Sequence, residues 1–309
     1  MFLSQPRREE GPVVESWSDC DHTVFQGDAL DVLRDNVPDE SVDLVFADPP
    51  YNLGKRFGDF RDVWESDEAY ARWCYQWLEL CLAKLRPTGS LYVMTSTQAM
   101  PYLDLYLRRR VTILSRIVWH YDSSGVQARR YFGSLYEPIL YSIKDPHAYT
   151  FCADDIRVEA RTGAVRRLVD HRPAEPKPYG RTKVPGNVWT FSRVRYRMPE
   201  YENHPTQKPE ALLERIIRAS TRPGDTVLDP FAGSFTAAAV ARRLGRRSVS
   251  IEREREYIRI GLRRLHLASE LDGWPLLPVD KSWARRSGAS RTGEADLSGR
   301  REDADPSWR

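Results

Sequence analysis

Residues 224–252, "GDTVLDPFAGSFTAAAVARRLGRRSVSIE", decide the fold. "TVLD" is short, apolar and bounded by turn residues, which predicts a buried strand. "SFTAAAVARRLG" is rich in good helix formers and stops at Gly245. "RSVSIE" is a second strand. Strand, loop, helix, strand within about 30 residues is a βαβ unit, which places the two strands parallel.

The pattern continues in both directions. "PEALLERIIRAS" (209–220) predicts a helix, "TRPGD" a turn, and residues from about Arg253 to Glu270 a last helix. Near the start, "HTVFQGD" (22–28) and "VDLVFAD" (42–48) are two strands that each end in an acid, with a short helix between them. Asp67 to Leu85 carries Tyr70, Trp73, Cys74, Trp77, Cys81 and Leu85 on one helical face, and Pro87-Thr88-Gly89 ends it. "SLYVMT", "VTILSRIVWHY" and "EPILYSIK" follow as strands, with "YLDLYLRRR" as a helix among them. Alternating strands and helices predict an α/β fold with a parallel sheet covered on both faces. Residues 1–18 and 280–309 are polar tails of disordered composition, and 19–279 is one domain.

Residues 145–203 break the pattern. They are rich in proline and tyrosine, and Arg157 to Arg197 holds eleven Lys/Arg against three Asp/Glu. The whole chain carries a net charge of only +3, so a polyanion partner has to be argued from this local excess. Four cysteines without a C-x-x-C pair suit a reducing compartment. Six scattered histidines lack metal-ligand spacing. No apolar run reaches the ~18 residues that span a bilayer, and "MFLSQPRREE" lacks the apolar core of a secretory leader. A cytoplasmic protein with no metal and no membrane partner is expected.

Two loops carry chemistry. In "VLDPFAGSFT" (227–236) a strand ends at Asp229 and a small-residue loop feeds a helix. Ligands of open parallel sheets bind at such carboxyl ends. Gly233 lets a ligand approach the backbone, and the helix start offers free N–H groups. About twenty residues on, Glu252 ends the next strand, where an acid can accept from both ribose hydroxyls. This is a nucleoside-cofactor site, although Asp229 could simply cap the turn and Glu252 the next helix.

The other loop is Asp48-Pro49-Pro50-Tyr51. Two prolines make it stiff and strip it of backbone donors, Asp48 adds a carboxylate, and Tyr51 adds a flat aromatic face. That set suits an exocyclic amino group on a planar ring: acceptors hold its hydrogens and stabilise the positive charge that develops as nitrogen attacks an activated methyl. Alone, the same four residues could form a rigid surface turn.

Taken together, these residues resemble the amino-DNA methyltransferases. Asp48-Pro49-Pro50-Tyr51 matches their catalytic motif, Asp229-Pro230-Phe231-Ala232-Gly233-Ser234 their S-adenosylmethionine loop, and His204-Pro205-Thr206-Gln207-Lys208-Pro209 the segment before that loop. The catalytic motif comes first, the permuted order of the β group. "YDSSGVQA", "YEPIL", "PGNVW", "RVRY" and "YENHPTQKPEALL" are similar to that group's solitary adenine-specific enzymes, which are associated with the palindrome ATGCAT. The match covers roughly residues 20–270.

The resemblance implies a Rossmann-like S-adenosylmethionine-dependent fold with permuted motif order and a target-recognition region inserted at 121–200. It implies transfer of a methyl group to N6 of an adenine flipped out of double-stranded DNA. Asp229, Phe231, Gly233 and Ser234 would line the methionine end of the cofactor, Glu252 would hold the ribose, Asp28 and Ala29 would lie near the cofactor adenine, and His204 and Lys208 would touch the carboxylate. Asp28 could equally cap the helix at Ala29. Asp48 and Tyr51 would hold the flipped base. Ser123, Ser124, Gln127, Arg129, Arg130, Arg181, Lys183, Arg193 and Arg195 are the candidate DNA contacts, though any single arginine could be a solvated surface residue. A homodimer and a nucleoid location are expected. Phe235 stands where the family more usually has glycine. Cytosine-N4 methylation stays open, as does a degenerate DNA-binding scaffold. A protein-glutamine methyltransferase would carry Asn before Pro-Pro-Tyr and place that loop after the cofactor motif; neither holds here.

Overall fold

The computed structural model describes residues 14–121, 129–160 and 168–277. Nine strands form one sheet: β1 (Glu15–Ser18), β2 (His22–Gln26), β3 (Val42–Ala47), β4 (Leu85–Met94), β5 (Thr112–His120), β6 (Tyr136–Ile143), β7 (Val188–Thr190), β8 (Thr226–Asp229) and β9 (Arg247–Glu252). Their spatial order is β1-β2-β9-β8-β3-β4-β6-β5-β7. Among the described residues, six α-helices accompany it: α1 (Ala29–Asp35), α2 (Asp67–Lys84), α3 (Met100–Leu107), α4 (Glu210–Ser220), α5 (Thr236–Arg243) and α6 (Arg255–Leu265).

The centre of the sheet is buried on both faces, and β3 shows why its sequence is continuously apolar. Val45 and Ala47 join one cluster with Trp77 and Leu78 of α2 and Leu103 of α3. Leu44 and Phe46 join another with Leu212 and Ile216 of α4 and Val240 of α5. Successive residues of a strand face opposite ways, so both phases must be apolar. The helix starts are chemically set: Asp28 accepts the Leu30 N–H at α1, and Ser66 accepts the Ala69 N–H at α2.

The structure departs from the sequence reading in several places. Residues 15–18, taken as part of a tail, form β1 and pair antiparallel with β2. The sheet is mixed, because β6 runs antiparallel to both β4 and β5. Periodicity reports burial and not direction, and an antiparallel neighbour needs no crossover helix. Residues 188–190 add an edge strand to the proline-rich region, parallel to β5. Helix α5 starts at Thr236, because Phe235 sits left-handed at φ 56°. Helix α6 ends at Leu265, where His266 adopts φ 52°, and a short hairpin joins Glu270–Leu271 to Trp274–Pro275. Residues 1–13 and 278–309, which hold most of the two predicted tails, lie outside the described residues.

Candidate active site

Strands β2, β9, β8 and β3 are consecutive neighbours and run parallel, so their carboxyl ends form one edge. Gly27 and Asp28 follow β2, Glu252 ends β9, Asp229 ends β8, and Asp48 follows β3. The reversed direction of β6 brings its first residues, Tyr136 and Glu137, to the same edge. One cleft opens there. All thirteen residues expected for catalysis and cofactor binding line it: Asp28, Ala29, Asp48, Pro49, Pro50, Tyr51, His204, Lys208, Asp229, Phe231, Gly233, Ser234 and Glu252.

The half of the cleft beside β8 and β9 is built from backbone. Gly233 has φ +49°, and a β-carbon there would come within 2.8 Å of His204 Nε2. The absence of a side chain is therefore required twice, by the dihedral and by the ring above it. The Gly233 N–H donates to Glu252 Oε2 at 2.7 Å, and the Arg253 and Glu254 N–H groups donate to Oε1, each at 2.8 Å. Burial pushes the Glu252 carboxyl up to about 7, against these donors. His204 packs edge-on against Tyr257 at 4.5 Å between ring centroids. Burial, with Lys208 nearby, pushes it down to about 3 and keeps it neutral. The Phe231 ring packs edge-on against Trp77 at 5.2 Å. Asp229 accepts the Phe231 N–H at 3.0 Å, and burial holds its carboxyl well above the usual range. Asp28 is the cap of α1 and lines the cleft as well, so capping does not remove it from the cleft.

The other half is a charged cluster. Tyr51 Oη donates to Asp48 Oδ1 at 2.6 Å and lies 3.1 Å from Glu137 Oε2. Lys208 Nζ pairs with Asp48 Oδ2 at 2.6 Å and with Glu137 Oε2 at 3.6 Å. Tyr70 of α2 donates to the Pro50 carbonyl at 2.8 Å and pins the loop from behind. Burial raises the Asp48 carboxyl, with Lys208 opposing the shift. Burial alone would lower Lys208, but the carboxylates of Asp48 and Glu137 hold it above its usual value. Lys208, expected at the carboxylate end of a cofactor, therefore sits with the Asp-Pro-Pro-Tyr loop.

Of the expected DNA contacts, Arg193 lines the cleft itself, with its guanidinium 5.1 Å from the Tyr121 ring centre. Arg129, Arg130, Arg181, Lys183 and Arg195 are exposed on the surface. Ser123, Ser124 and Gln127 lie outside the described residues. Sequence reasoning missed Glu137, Lys55 and the hairpin of Arg56–Phe57 with Phe60–Arg61, whose two phenylalanines line the cleft. "YEPIL" carried the only signal for Glu137, an acid at the start of a strand. Among the described residues, no cluster of three or more His, Cys, Asp or Glu could hold a metal ion, and no helix is long and apolar enough to cross a membrane.

The chain was compared with known proteins. The family described as DNA methylase matches residues 42–263. The chain is 54% identical over 275 residues to the DNA adenine methyltransferase YhdJ of Escherichia coli strain K12, covering 89% of this chain and 93% of that protein. Its fold is like that of the PvuII DNA methyltransferase, described as cytosine-N4-specific, with a TM-score of 0.60 at 20% identity, covering 86% of this chain and 90% of that one. It is also like that of the M1.HpyAVI–SAM complex, with a TM-score of 0.51 at 23% identity, covering 79% and 99%.

Proposed function

The chain belongs to the DNA methylase family, and we propose that it moves a methyl group from S-adenosylmethionine to the exocyclic N6 of an adenine flipped out of double-stranded DNA. The permuted Rossmann-like methyltransferase fold expected from the sequence is the fold observed. One observation carries the proposal: Asp48-Pro49-Pro50-Tyr51 and Gly233 with Glu252 open into a single cleft from neighbouring strands.

The cleft fits the cofactor. Gly233 leaves a space that any side chain would fill, Glu252 presents a carboxylate already oriented by three backbone donors, and Phe57 and Phe231 supply apolar wall. Glu252 would hold the ribose, Asp28 and Ala29 would border the adenine, and Asp229, Ser234 and neutral His204 would border the methionine end. Bound there, S-adenosylmethionine supplies an electrophilic methyl group on a positively charged sulfur.

The protein's part is to prepare the amine. Tyr70 occupies the Pro50 carbonyl, which leaves the Pro49 carbonyl and Asp48 as acceptors for the two amino hydrogens. Holding both frees the nitrogen lone pair and stabilises the positive charge as the bond forms. The excess proton on nitrogen then leaves through Asp48. Tyr51 supplies the stacking face, and a base inside a duplex must be extruded to reach it.

Residues 121–200 are the target-recognition region of this reading, inserted in a domain that begins by Glu15 and runs to 279. Its surface arginines contact phosphates and base edges. Adenine is favoured over cytosine by aspartate rather than serine at position 48 and by the likeness to YhdJ. A homodimer and a place in the cytoplasm at the nucleoid complete the reading; sedimentation velocity measures the first.

The test is direct. The protein is incubated with methyl-labelled S-adenosylmethionine and unmethylated DNA, and the digested nucleosides are separated. Label in N6-methyladenine is expected. Label in N4-methylcytosine would overturn the base assignment, and cofactor binding without transfer would leave a DNA-binding scaffold. Sequencing the methylated sites would show whether they are the palindrome ATGCAT.

A further inference from the structure

Tyr51 has one hydroxyl hydrogen and two carboxylates within reach. Asp48 is the nearer at 2.6 Å, and Glu137 waits at 3.1 Å. Lys208 repeats the arrangement, with Asp48 at 2.6 Å and Glu137 at 3.6 Å. Both Asp48 oxygens are therefore engaged by the protein's own donors, one by the hydroxyl and one by the ammonium. An arriving amino group that takes an Asp48 oxygen competes with these donors for it and weakens their hold. A buried donor left without a partner is costly, and Glu137 Oε2 lies within reach of both.

We propose that Glu137 is a positioning residue that takes over the Tyr51 hydroxyl and the Lys208 ammonium when the substrate amino group occupies Asp48. The inference rests on the methyltransferase reading and adds a residue to it. Glu137 is held for the task. It sits on β6 opposite Trp119 of β5 in the antiparallel ladder, and its side chain is 17% exposed. Simple neutralisation of Lys208 does not account for it, because Asp48 already does that at shorter range. Among the described residues, the ion pairs to Glu137 come from Lys208 alone. An acceptor that is second in range without substrate becomes the better one when an amino group competes for Asp48. By keeping the Tyr51 hydroxyl anchored, Glu137 also fixes the ring against which the base stacks.

Steady-state and single-turnover kinetics on unmethylated DNA test this with Glu137→Gln, Glu137→Ala, Tyr51→Phe and the double variant of the last two. Glu137→Ala should lower the single-turnover rate by about 10–100-fold, the worth of a hydrogen bond to a charged group, with S-adenosylmethionine Kd unchanged. Glu137→Gln, which keeps an oxygen for Tyr51 but not the charge for Lys208, should fall between. The double variant should be little slower than its slower parent, because both changes break one contact. Wild-type turnover in Glu137→Ala would overturn the proposal. So would losses that multiply in the double variant, a loss confined to KM for DNA, or a loss of cofactor binding in Glu137→Gln. A wild-type protein that methylates no DNA would instead overturn the methyltransferase reading itself, and this inference with it.

Discussion

The Phe235 ring fills the place a side chain would take at Gly261: a β-carbon added to Gly261 would lie 2.5 Å from two of its ring carbons. Phe235 is fully buried and holds φ 56° at the start of α5. The bulky residue in the cofactor loop is thus accommodated by a gap in α6, and the ring packs with Val24, Ile258 and Leu262 away from the cleft.

Gly261→Ala should therefore destabilise the protein although alanine favours helix. Overpacking a filled core costs about 1–3 kcal/mol. Thermal melting should show a lower Tm, and Phe235→Leu should recover part of it in the alanine background. Equal Tm values for wild type and Gly261→Ala would mean that the ring moves aside freely.

Lys208 is 8% exposed between two acids. Removing one member of a buried ion pair costs about 3–5 kcal/mol, so Lys208→Met should melt well below wild type at pH 8. Burial already raises the Asp48 carboxyl against the opposing ammonium, so without Lys208 it would titrate further above its unfolded value. A folded protein that binds more protons than the unfolded chain loses stability as pH rises. The deficit should accordingly shrink towards pH 5, and a Tm difference independent of pH would count against the buried cluster.

The two chemical loops and the α/β class were legible because each is local. A strand that ends in an acid, followed by prolines or small residues, is written in about ten consecutive positions. What was not legible depends on strand direction or distant pairing. Glu137 reaches the cleft only because β6 runs backwards between β4 and β5, and apolar spacing in "YEPIL" is the same either way round. The partner of Phe235 lies on another helix, and nothing in the loop announces it. Lys208 was read from its motif neighbours as a cofactor contact, and its ion pair with Asp48 was not legible because the partner lies in a distant loop. The edge strand at 188–190 is too short, and too close to prolines, to show a period.

Glu252 should make cofactor binding depend on pH. Its carboxyl is pushed up to about 7 by burial, and the ionised form is the one that satisfies three backbone donors and, on the proposed reading, would accept from ribose hydroxyls. Calorimetric titration with S-adenosylmethionine should give a Kd that falls as pH rises through about 7 and then levels, with up to about tenfold change per unit below that point. Glu252→Gln should bind weakly at every pH. A flat wild-type profile between pH 6 and 8.5 would show that this carboxyl does not titrate there.

Arg193 and Arg195 lie two residues apart in a basic stretch, yet the structure separates their roles. Arg195 is exposed, where a guanidinium can meet a phosphate and release a counterion. Arg193 stands over Tyr121 in the wall of the cleft, close enough to Lys208 to oppose its charge. Arg195→Gln should flatten the dependence of log K on log salt by about 0.9, the value for one lost phosphate contact, and leave single-turnover chemistry near wild type. Arg193→Gln should do the reverse, slowing the chemical step while changing the slope less, because its charge acts within the cleft. Fluorescence anisotropy across a salt series, paired with single-turnover methylation, separates the two. Identical slopes for wild type and Arg195→Gln would move the phosphate contact to another part of the 121–200 region. An Arg193→Gln protein with full turnover and a reduced slope would make that residue a backbone contact as well.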